Sequence, residues 1–158
     1  MNAREHESVS EAADILRKGG VIVYPTETVY GIGCDPWNRE AVGRIFRIKR
    51  RAGGRTMLVI ADSLEMAERE FGVLAGAAAR LAKVFWPGPL TMIVRPAHEC
   101  PDYLLGTTGG IAVRVTGDPF CRALVAEFGR PVVSTSANFS GEPTAISFED
   151  ACERFGTL

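Results

Sequence analysis

The sequence has 158 residues, 46% hydrophobic and 23% charged, and these proportions predict one domain, residues 1–158, with a substantial hydrophobic core. A formal net charge of −1 excludes a protein that is positively charged as a whole for binding nucleic acid. No segment is long and apolar enough to span a membrane, residues 1–10 lack the apolar stretch of a signal peptide, and the four cysteines are scattered, so we expect a cytoplasmic protein.

Helix and strand patterns follow one another irregularly along the chain. In chain order the patterns predict a helix over 8–20, a strand over 21–24, a helix over 38–51, a strand over 56–61, helices over 63–71 and 75–86, strands over 90–95 and 111–115, a helix over 118–129, a strand over 131–136 and a helix over 147–156. The expected N-caps include Ser8, paired with Glu11, and Asn38, Asp118 and Ser147. Because strands and helices are interspersed without strict alternation, we predict an α/β fold with a mixed sheet and flanking helices.

Polar residues gather where the predicted strands end. The first strand runs into YPTETVYGIG (24–33), which places Thr26, Glu27, Thr28 and Tyr30 at its end, and the strand over 131–136 runs into STSAN (134–138). Such hydroxyl residues are often only turn and cap residues, and for STSAN alone we give that interpretation even weight. Ligands of open α/β sheets bind outside strand ends, so the arrangement also predicts one shared cleft.

Two groups of basic residues stand out. Arg114 lies inside the apolar strand IAVRV and, because a buried arginine is costly unless paired, it should meet either a structural acid or an anionic ligand. Six of the 18 lysine and arginine residues lie within residues 44–55. By itself such a run is more often an exposed helix end, where cations favour the helix dipole. The spacing predicts that Lys49 and Arg51 turn toward the cleft and Arg50 away from it.

Several common sites are absent from the sequence. There is no P-loop motif, no G-x-G-x-x-G after a strand and no G-x-S-x-G, and with two histidines remote from the motifs a Ser-His-Asp triad is not expected. The scattered cysteines and histidines predict no metal site held by protein side chains.

The combination of motifs resembles the YrdC-like family of threonylcarbamoyl-AMP synthases. The resemblance rests on YPTETVYGIG, the K-x-R of residues 49–51, WPGPLT (86–91), IAVRV (111–115) and the S-x-N of residues 136–138, all in the family's order and spacing. It implies a twisted α/β sheet around a positively charged concave cleft. It also implies an enzyme that joins L-threonine, bicarbonate and ATP into threonylcarbamoyl-AMP and pyrophosphate, for transfer to tRNA by a downstream threonylcarbamoyl transferase.

The resemblance also implies roles for individual residues. Thr28, Arg114 and Ser134 would contact threonine. ATP would be contacted by the residues Lys49, Arg51, Arg55, Ser136, Asn138 and Thr144. Lys49, Arg51 and Arg114 would supply the charge that catalysis needs, because guanidinium and ammonium groups bind carboxylate and phosphate oxygens strongly. Mg²⁺ would be held mainly by the ATP phosphates and water.

The sequence departs from the family pattern at three places. The K-x-R is followed by AGGR rather than by proline, and Ile60 and Ala61 occupy the region where some relatives have a threonine-contacting histidine. Relatives usually continue past the last helix with a glycine-rich segment that covers the nucleotide, whereas this sequence ends at CERFGTL, so we expect residues 1–158 alone to bind ATP weakly. Two other functions stay open: an RNA-binding module for tRNA or double-stranded RNA without catalysis, or a family paralogue that binds or hydrolyses the adenylate.

Overall fold

The computed structural model describes residues 3–50 and 57–156. In chain order the elements are α1 (Ala3–Arg17), β1 (Ile22–Tyr24), β2 (Gly31–Gly33), α2 (Arg39–Ile48), β3 (Leu58–Ala61), α3 (Leu64–Phe71), α4 (Gly76–Phe85), β4 (Met92–Val94), a 3₁₀ turn (Asp102–Leu104), β5 (Ile111–Val115), α5 (Pro119–Phe128), β6 (Val132–Val133), β7 (Thr135–Ser136) and α6 (Phe148–Phe155). Arg51 and Arg55, two of the predicted site residues, lie outside the described ranges.

The strands form two sheets. In the first, β1, β2 and β7 pair in that order and both pairs are antiparallel. The second has the order β4-β5-β3-β6, with β3 and β5 parallel and the outer two pairs antiparallel. The predicted α/β fold with a mixed sheet is confirmed, and the first sheet is an addition to it.

Most helix ends follow the predicted capping residues. The Asn38 side chain accepts a hydrogen bond from the Ala41 N–H at 3.0 Å, and Asp118 accepts one from Cys121 at 2.9 Å. The φ of Gly129 is 84° at the end of α5, a left-handed conformation that suits glycine. Helix α2 ends at Ile48, three residues before the predicted end, and Arg50 beyond it has a φ of 49°.

The predicted start of the first helix is wrong. Helix α1 begins at Ala3, so Ser8 lies inside the helix rather than at its cap. A Ser-x-x-Glu pattern is compatible with a helix interior as well as with a start, and here the residues before it continue the helix. At the other end, the Gly19 and Gly20 N–H groups donate to the carbonyls of Leu16 and Ile15, which is a Schellman termination.

The predicted strand over 131–136 is divided between the two sheets. Strand β6 pairs with β3, whereas β7 pairs with β2. Ser134 lies at the crossover, and its N–H donates to the Leu58 carbonyl at 2.8 Å. The sheets therefore meet at Ser134, one of the residues predicted to contact threonine.

Strand β2 was not expected because Gly31 and Gly33 make up two of its three residues, and glycine weakens isolated strands. Close packing explains Gly33. A Cβ atom there would lie 2.6 Å from the Val133 carbonyl oxygen and 2.7 Å from Cε1 of Tyr24. The position therefore excludes larger residues, and β2 is specified by its neighbours rather than by its own propensity.

A continuous hydrophobic core lies between the helices and both sheets. Its largest fully buried side chains include Leu16, Tyr24, Ile32, Ile45, Met57, Leu104, Ile111 and Leu124. Helices α1 and α5 pack against each other, and Arg17 at the end of α1 forms an ion pair with Glu127 of α5. Across the ranges that the structure describes, no helix is both long and apolar enough to cross a membrane.

Candidate functional site

A cavity of about 190 Å³ opens where the two sheets meet. Three predicted threonine contacts, Thr28, Arg114 and Ser134, line it, together with Ser136, a predicted ATP contact. These residues come from the loop between β1 and β2, from β5, from the β6–β7 crossover and from β7. The predicted shared cleft at the strand ends therefore exists for these four side chains, which come from three separate parts of the sequence.

The loop between β1 and β2 is shaped by Thr26. Its hydroxyl donates to the Val29 carbonyl at 2.6 Å and accepts from the Thr28 and Val29 N–H groups at 3.3 and 3.4 Å. This is the turn-forming role of threonine, in which the hydroxyl substitutes for backbone partners. Thr26 therefore builds the turn that presents the side chain of Thr28 to the cavity.

Glu27 ties the same loop to the end of β5. Its Oε1 accepts hydrogen bonds from the buried Thr116 hydroxyl at 2.5 Å and from the Gly117 N–H at 3.0 Å. Burial by itself raises the pKa of the Glu27 carboxyl, but the hydrogen bonds from Thr116 and backbone N–H groups, with the charge of Arg114, outweigh burial and hold it below its ordinary 4.5. No role for Glu27 is predicted from the sequence, although an acid between two threonines at a strand end was a signal for one.

Arg114 is half-buried and faces the cavity. Its Nε and Nη2 donate to the hydroxyl of Thr91 at 3.1 and 2.9 Å. No carboxylate in the described part of the chain lies within ion-pairing distance of this guanidinium. Arg114 was expected to meet either a structural acid or an anionic ligand, and the described residues contain no such acid within that distance. The orienting Thr91, within the WPGPLT motif, was not identified from the sequence.

Three of the predicted ATP contacts form a compact cluster. Lys49 is only 3% exposed, and its ammonium group donates to the Asn138 side-chain and backbone oxygens at 2.9 and 3.1 Å and to the Ser136 carbonyl. The Ser136 hydroxyl donates to the Asn138 side-chain oxygen at 2.7 Å. The K-x-R and S-x-N motifs, 87 residues apart at the Lys49–Ser136 contact, therefore meet at one turn.

Thr144 is held beside this cluster because the next residue, Ala145, forms backbone hydrogen bonds with the S-x-N turn and with the 25–30 loop. The Ala145 N–H donates to the Ala137 carbonyl at 2.9 Å, and the Ala145 carbonyl accepts from the Tyr30 N–H at 3.0 Å. The Ala137 N–H donates in turn to the Tyr30 carbonyl at 2.8 Å. These three bonds hold the 25–30 loop, the S-x-N turn and the segment containing Thr144 together.

The two buried cysteines are poor nucleophiles. Burial, with the nearby charge of Asp35, raises the pKa of the Cys34 thiol to about 12. Cys121 lines the cavity and donates to the Pro25 carbonyl at 3.3 Å, and burial raises its pKa well above the ordinary value. Both thiols are therefore protonated at neutral pH. Within residues 3–50 and 57–156, no group of three histidine, cysteine or acidic side chains is placed to hold a metal ion.

The sequence matches a family model and named relatives over most of its length. A family model named Sua5_yciO_yrdC, described as telomere recombination, matches residues 14–158. A threonylcarbamoyl-AMP synthase of Coxiella burnetii is 41% identical over 139 residues, which are 87% of this chain and 74% of the relative. One of Pseudoalteromonas translucida is 39% identical over 153 residues, 96% of this chain and 82% of the relative.

Solved structures of the same family are similar to this chain in fold as well as in sequence. P. abyssi Sua5 complexed with L-threonine has a TM-score of 0.89 and 32% sequence identity over 97% of this chain. The match covers 45% of the Sua5 chain, so this chain spans less than half the length of that protein. E. coli YciO has a TM-score of 0.86 and 32% identity, over 96% of this chain and 74% of its own. The chain belongs to the Sua5/YciO/YrdC family.

Proposed function

We propose that the protein is an L-threonylcarbamoyladenylate synthase, which forms threonylcarbamoyl-AMP and pyrophosphate from L-threonine, bicarbonate and ATP. The observation that carries this proposal is the cavity shared by Thr28, Arg114 and Ser134, which Ser136 joins to the Lys49–Asn138 cluster. Relatives at about 40% identity are named threonylcarbamoyl-AMP synthase, and Sua5, of the same fold, is described in complex with L-threonine.

The threonine side of the site would recognise a small hydroxy amino acid. Drug-sized ligands occupy pockets of about 300–1,000 Å³, so a cavity of about 190 Å³ suits a smaller ligand. Arg114, oriented by Thr91, would take the α-carboxylate with its fork of N–H donors. The hydroxyls of Thr28 and Ser134 would pair with the threonine hydroxyl.

The nucleotide side would be built on the S-x-N turn. Ser136, Asn138 and Thr144 would contact ATP, with Lys49 and Arg51 adding positive charge near the phosphates. The contacts of Lys49 support a second task for its ammonium group, which is to hold the turn in one conformation. We also keep Arg55 as a phosphate contact, and Mg²⁺ as an ion bound mainly by phosphate oxygens and water.

The proposed reaction needs no covalent intermediate on the protein. The threonine ammonium group loses a proton to solvent, and its nitrogen then bonds to the carbon of bicarbonate with loss of water, which gives a carbamate. A carbamate oxygen then attacks the α-phosphorus, and the bond to the β-phosphate oxygen breaks with its electron pair leaving on pyrophosphate. The protein brings two anions together and stabilises the charge that develops, which is the proposed task of Lys49, Arg51 and Arg114.

The product belongs to tRNA modification in the cytoplasm. Threonylcarbamoyl-AMP is an activated mixed anhydride, so a downstream transferase must pass its threonylcarbamoyl group to the adenosine of tRNA. Direct contact with tRNA or double-stranded RNA is a separate proposal, which rests on the basic residues of the 44–55 segment.

The decisive experiment measures pyrophosphate release from ATP, Mg²⁺ and bicarbonate with and without L-threonine. The proposal predicts release that depends on threonine and a product with the mass of threonylcarbamoyl-AMP. Absence of release together with salt-sensitive RNA binding would favour the RNA-binding module. Hydrolysis of added threonylcarbamoyl-AMP without its synthesis would favour the paralogue that consumes the adenylate.

A further inference from the structure

The cavity is lined by a negatively charged carboxylate as well as by a positively charged guanidinium. These groups belong to Glu27 and Arg114. The Glu27 carboxylate accepts a hydrogen bond from the Thr116 hydroxyl, and the Arg114 guanidinium donates to the Thr91 hydroxyl, so both side chains are held in place. The hydrogen bonds from Thr116 and Gly117 both end on Oε1, so Oε2 keeps acceptor capacity even with the backbone N–H of Glu27 itself as a further donor to the carboxylate. The lowered pKa keeps this carboxylate ionised at neutral pH.

A zwitterionic amino acid carries an ammonium group and a carboxylate on the same carbon. A cavity with one fixed carboxylate, one fixed guanidinium and the hydroxyls of Thr28 and Ser134 matches all three polar groups of a hydroxy amino acid. Ligands that lack either charge leave one of the fixed side chains without its partner, and the site discriminates against them for that reason.

We propose that Glu27 binds the α-ammonium group of the amino acid substrate while Arg114 binds its carboxylate. This inference rests on the proposed function, because that function assigns the cavity to threonine. Glu27 is then a determinant of specificity for α-amino acids. The hydrogen bonds from Thr116 and Gly117 to its Oε1 hold the side chain in place. The second carboxylate oxygen then fixes the nitrogen, which bonds to bicarbonate after the ammonium group has lost a proton to solvent.

The test compares three ligands on the intact protein by calorimetry: L-threonine, threoninol, which lacks the carboxylate, and 2,3-dihydroxybutanoate, which lacks the ammonium group. Glu27→Gln removes the charge but keeps an oxygen that accepts from Thr116 and Gly117. It should weaken threonine and threoninol about tenfold or more, the loss of one charge-assisted hydrogen bond, and leave dihydroxybutanoate unchanged or tighter. Arg114→Gln should weaken threonine and dihydroxybutanoate but not threoninol.

Glu65→Gln, on the exposed first turn of α3, is the matched control and should change none of the three affinities. Equal losses for all three ligands in Glu27→Gln would mean that Glu27 only positions the loop, and no loss would exclude contact; either result overturns the inference. The wild-type protein tests it independently of any variant, because dihydroxybutanoate must bind at least about tenfold more weakly than threonine. Failure of the wild type to bind threonine at all would instead overturn the proposed function, and this inference with it.

Discussion

At the scale of single residues, Thr26 and Thr28 lie two positions apart and have different tasks. Both line the cavity, but the Thr26 hydroxyl makes three contacts with backbone groups of its own loop, whereas the one contact described for the Thr28 hydroxyl is with that of Thr26 at 3.4 Å. Thr26→Val should therefore lower the free energy of unfolding by about 1 kcal/mol, the usual worth of such a hydrogen bond. Thr28→Val should weaken threonine binding and leave stability near that of the wild type. Urea unfolding and calorimetry on both variants separate these effects, and the reverse pattern would contradict the assignment.

Arg114 carries the strongest prediction for a single side chain. Its replacement by alanine should weaken threonine binding by roughly 2–3 kcal/mol through loss of a charge-assisted contact, while the protein stays folded. Arg95→Ala, just beyond β4 and exposed, is the matched control and should bind threonine as the wild type does. Unchanged affinity in Arg114→Ala, or an unfolded variant, would indicate a structural role for this guanidinium.

At the scale of elements, the end of α2 and the S-x-N turn depend on one another. Removal of the buried Lys49 ammonium would leave oxygens of Ser136 and Asn138 without their donor. Lys49→Met should therefore nearly abolish pyrophosphate release and lower stability. Arg50→Ala should have little effect, because Arg50 is exposed and packs over the ring of Phe139. Equal, modest losses in both variants would instead support a diffuse basic surface for RNA.

The hydrogen bonds from Thr116 and Gly117 to Glu27, which link the 25–30 loop to the end of β5, should contribute to stability in a pH-dependent way. The pKa of Glu27 is lower in the folded protein than its ordinary 4.5, so these hydrogen bonds stabilise the fold above that value. Their contribution is lost as the pH falls through the lowered, folded-state pKa. The difference in unfolding free energy between wild type and Glu27→Gln should therefore be present at pH 7 and shrink as the medium is acidified below pH 4.5. Chemical unfolding across that range measures it, and a constant difference would contradict the prediction.

Local signals predicted the helices and their caps better than the strands. Asn38 and Asp118 act through N–H groups three residues away, so the sequence contains the whole interaction. Strand β2 and the division of residues 131–136 depend instead on partners far along the chain. The apolar run could not reveal that Val133 and Thr135 belong to different sheets, because both patterns look the same locally.

At the scale of the whole molecule, the candidate site is where the two sheets join. The motifs of the family resemblance contain most of the residues of the candidate site, because most of them lie at the ends of β1 and α2, within β5 and at the β6–β7 crossover. They did not identify Glu27 and Thr91, whose tasks depend on partners in other elements. Physical reasoning from residue types alone gave the cleft but not its division into a cavity and a neighbouring turn.

Ser136 belongs to both parts of the site, and this predicts coupling between the two substrates. It lines the cavity proposed to bind threonine, while its carbonyl and hydroxyl contact Lys49 and Asn138. Threonine that orders this serine should lower the cost of ordering the turn for ATP, and by linkage ATP must increase the affinity for threonine by the same factor.

The expected coupling can be measured by titrating threonine in the absence and presence of a non-hydrolysable ATP analogue with Mg²⁺. Allosteric and neighbouring sites typically couple by about 1–3 kcal/mol, so the affinity for threonine should rise about fivefold or more. In Ser136→Ala the rise should be smaller, because the side-chain bond between the two parts is lost. Ser140→Ala, in the same segment, is the control and should keep the rise. Equal threonine affinity with and without the nucleotide would show that the cavity and the turn act independently, whatever their proximity.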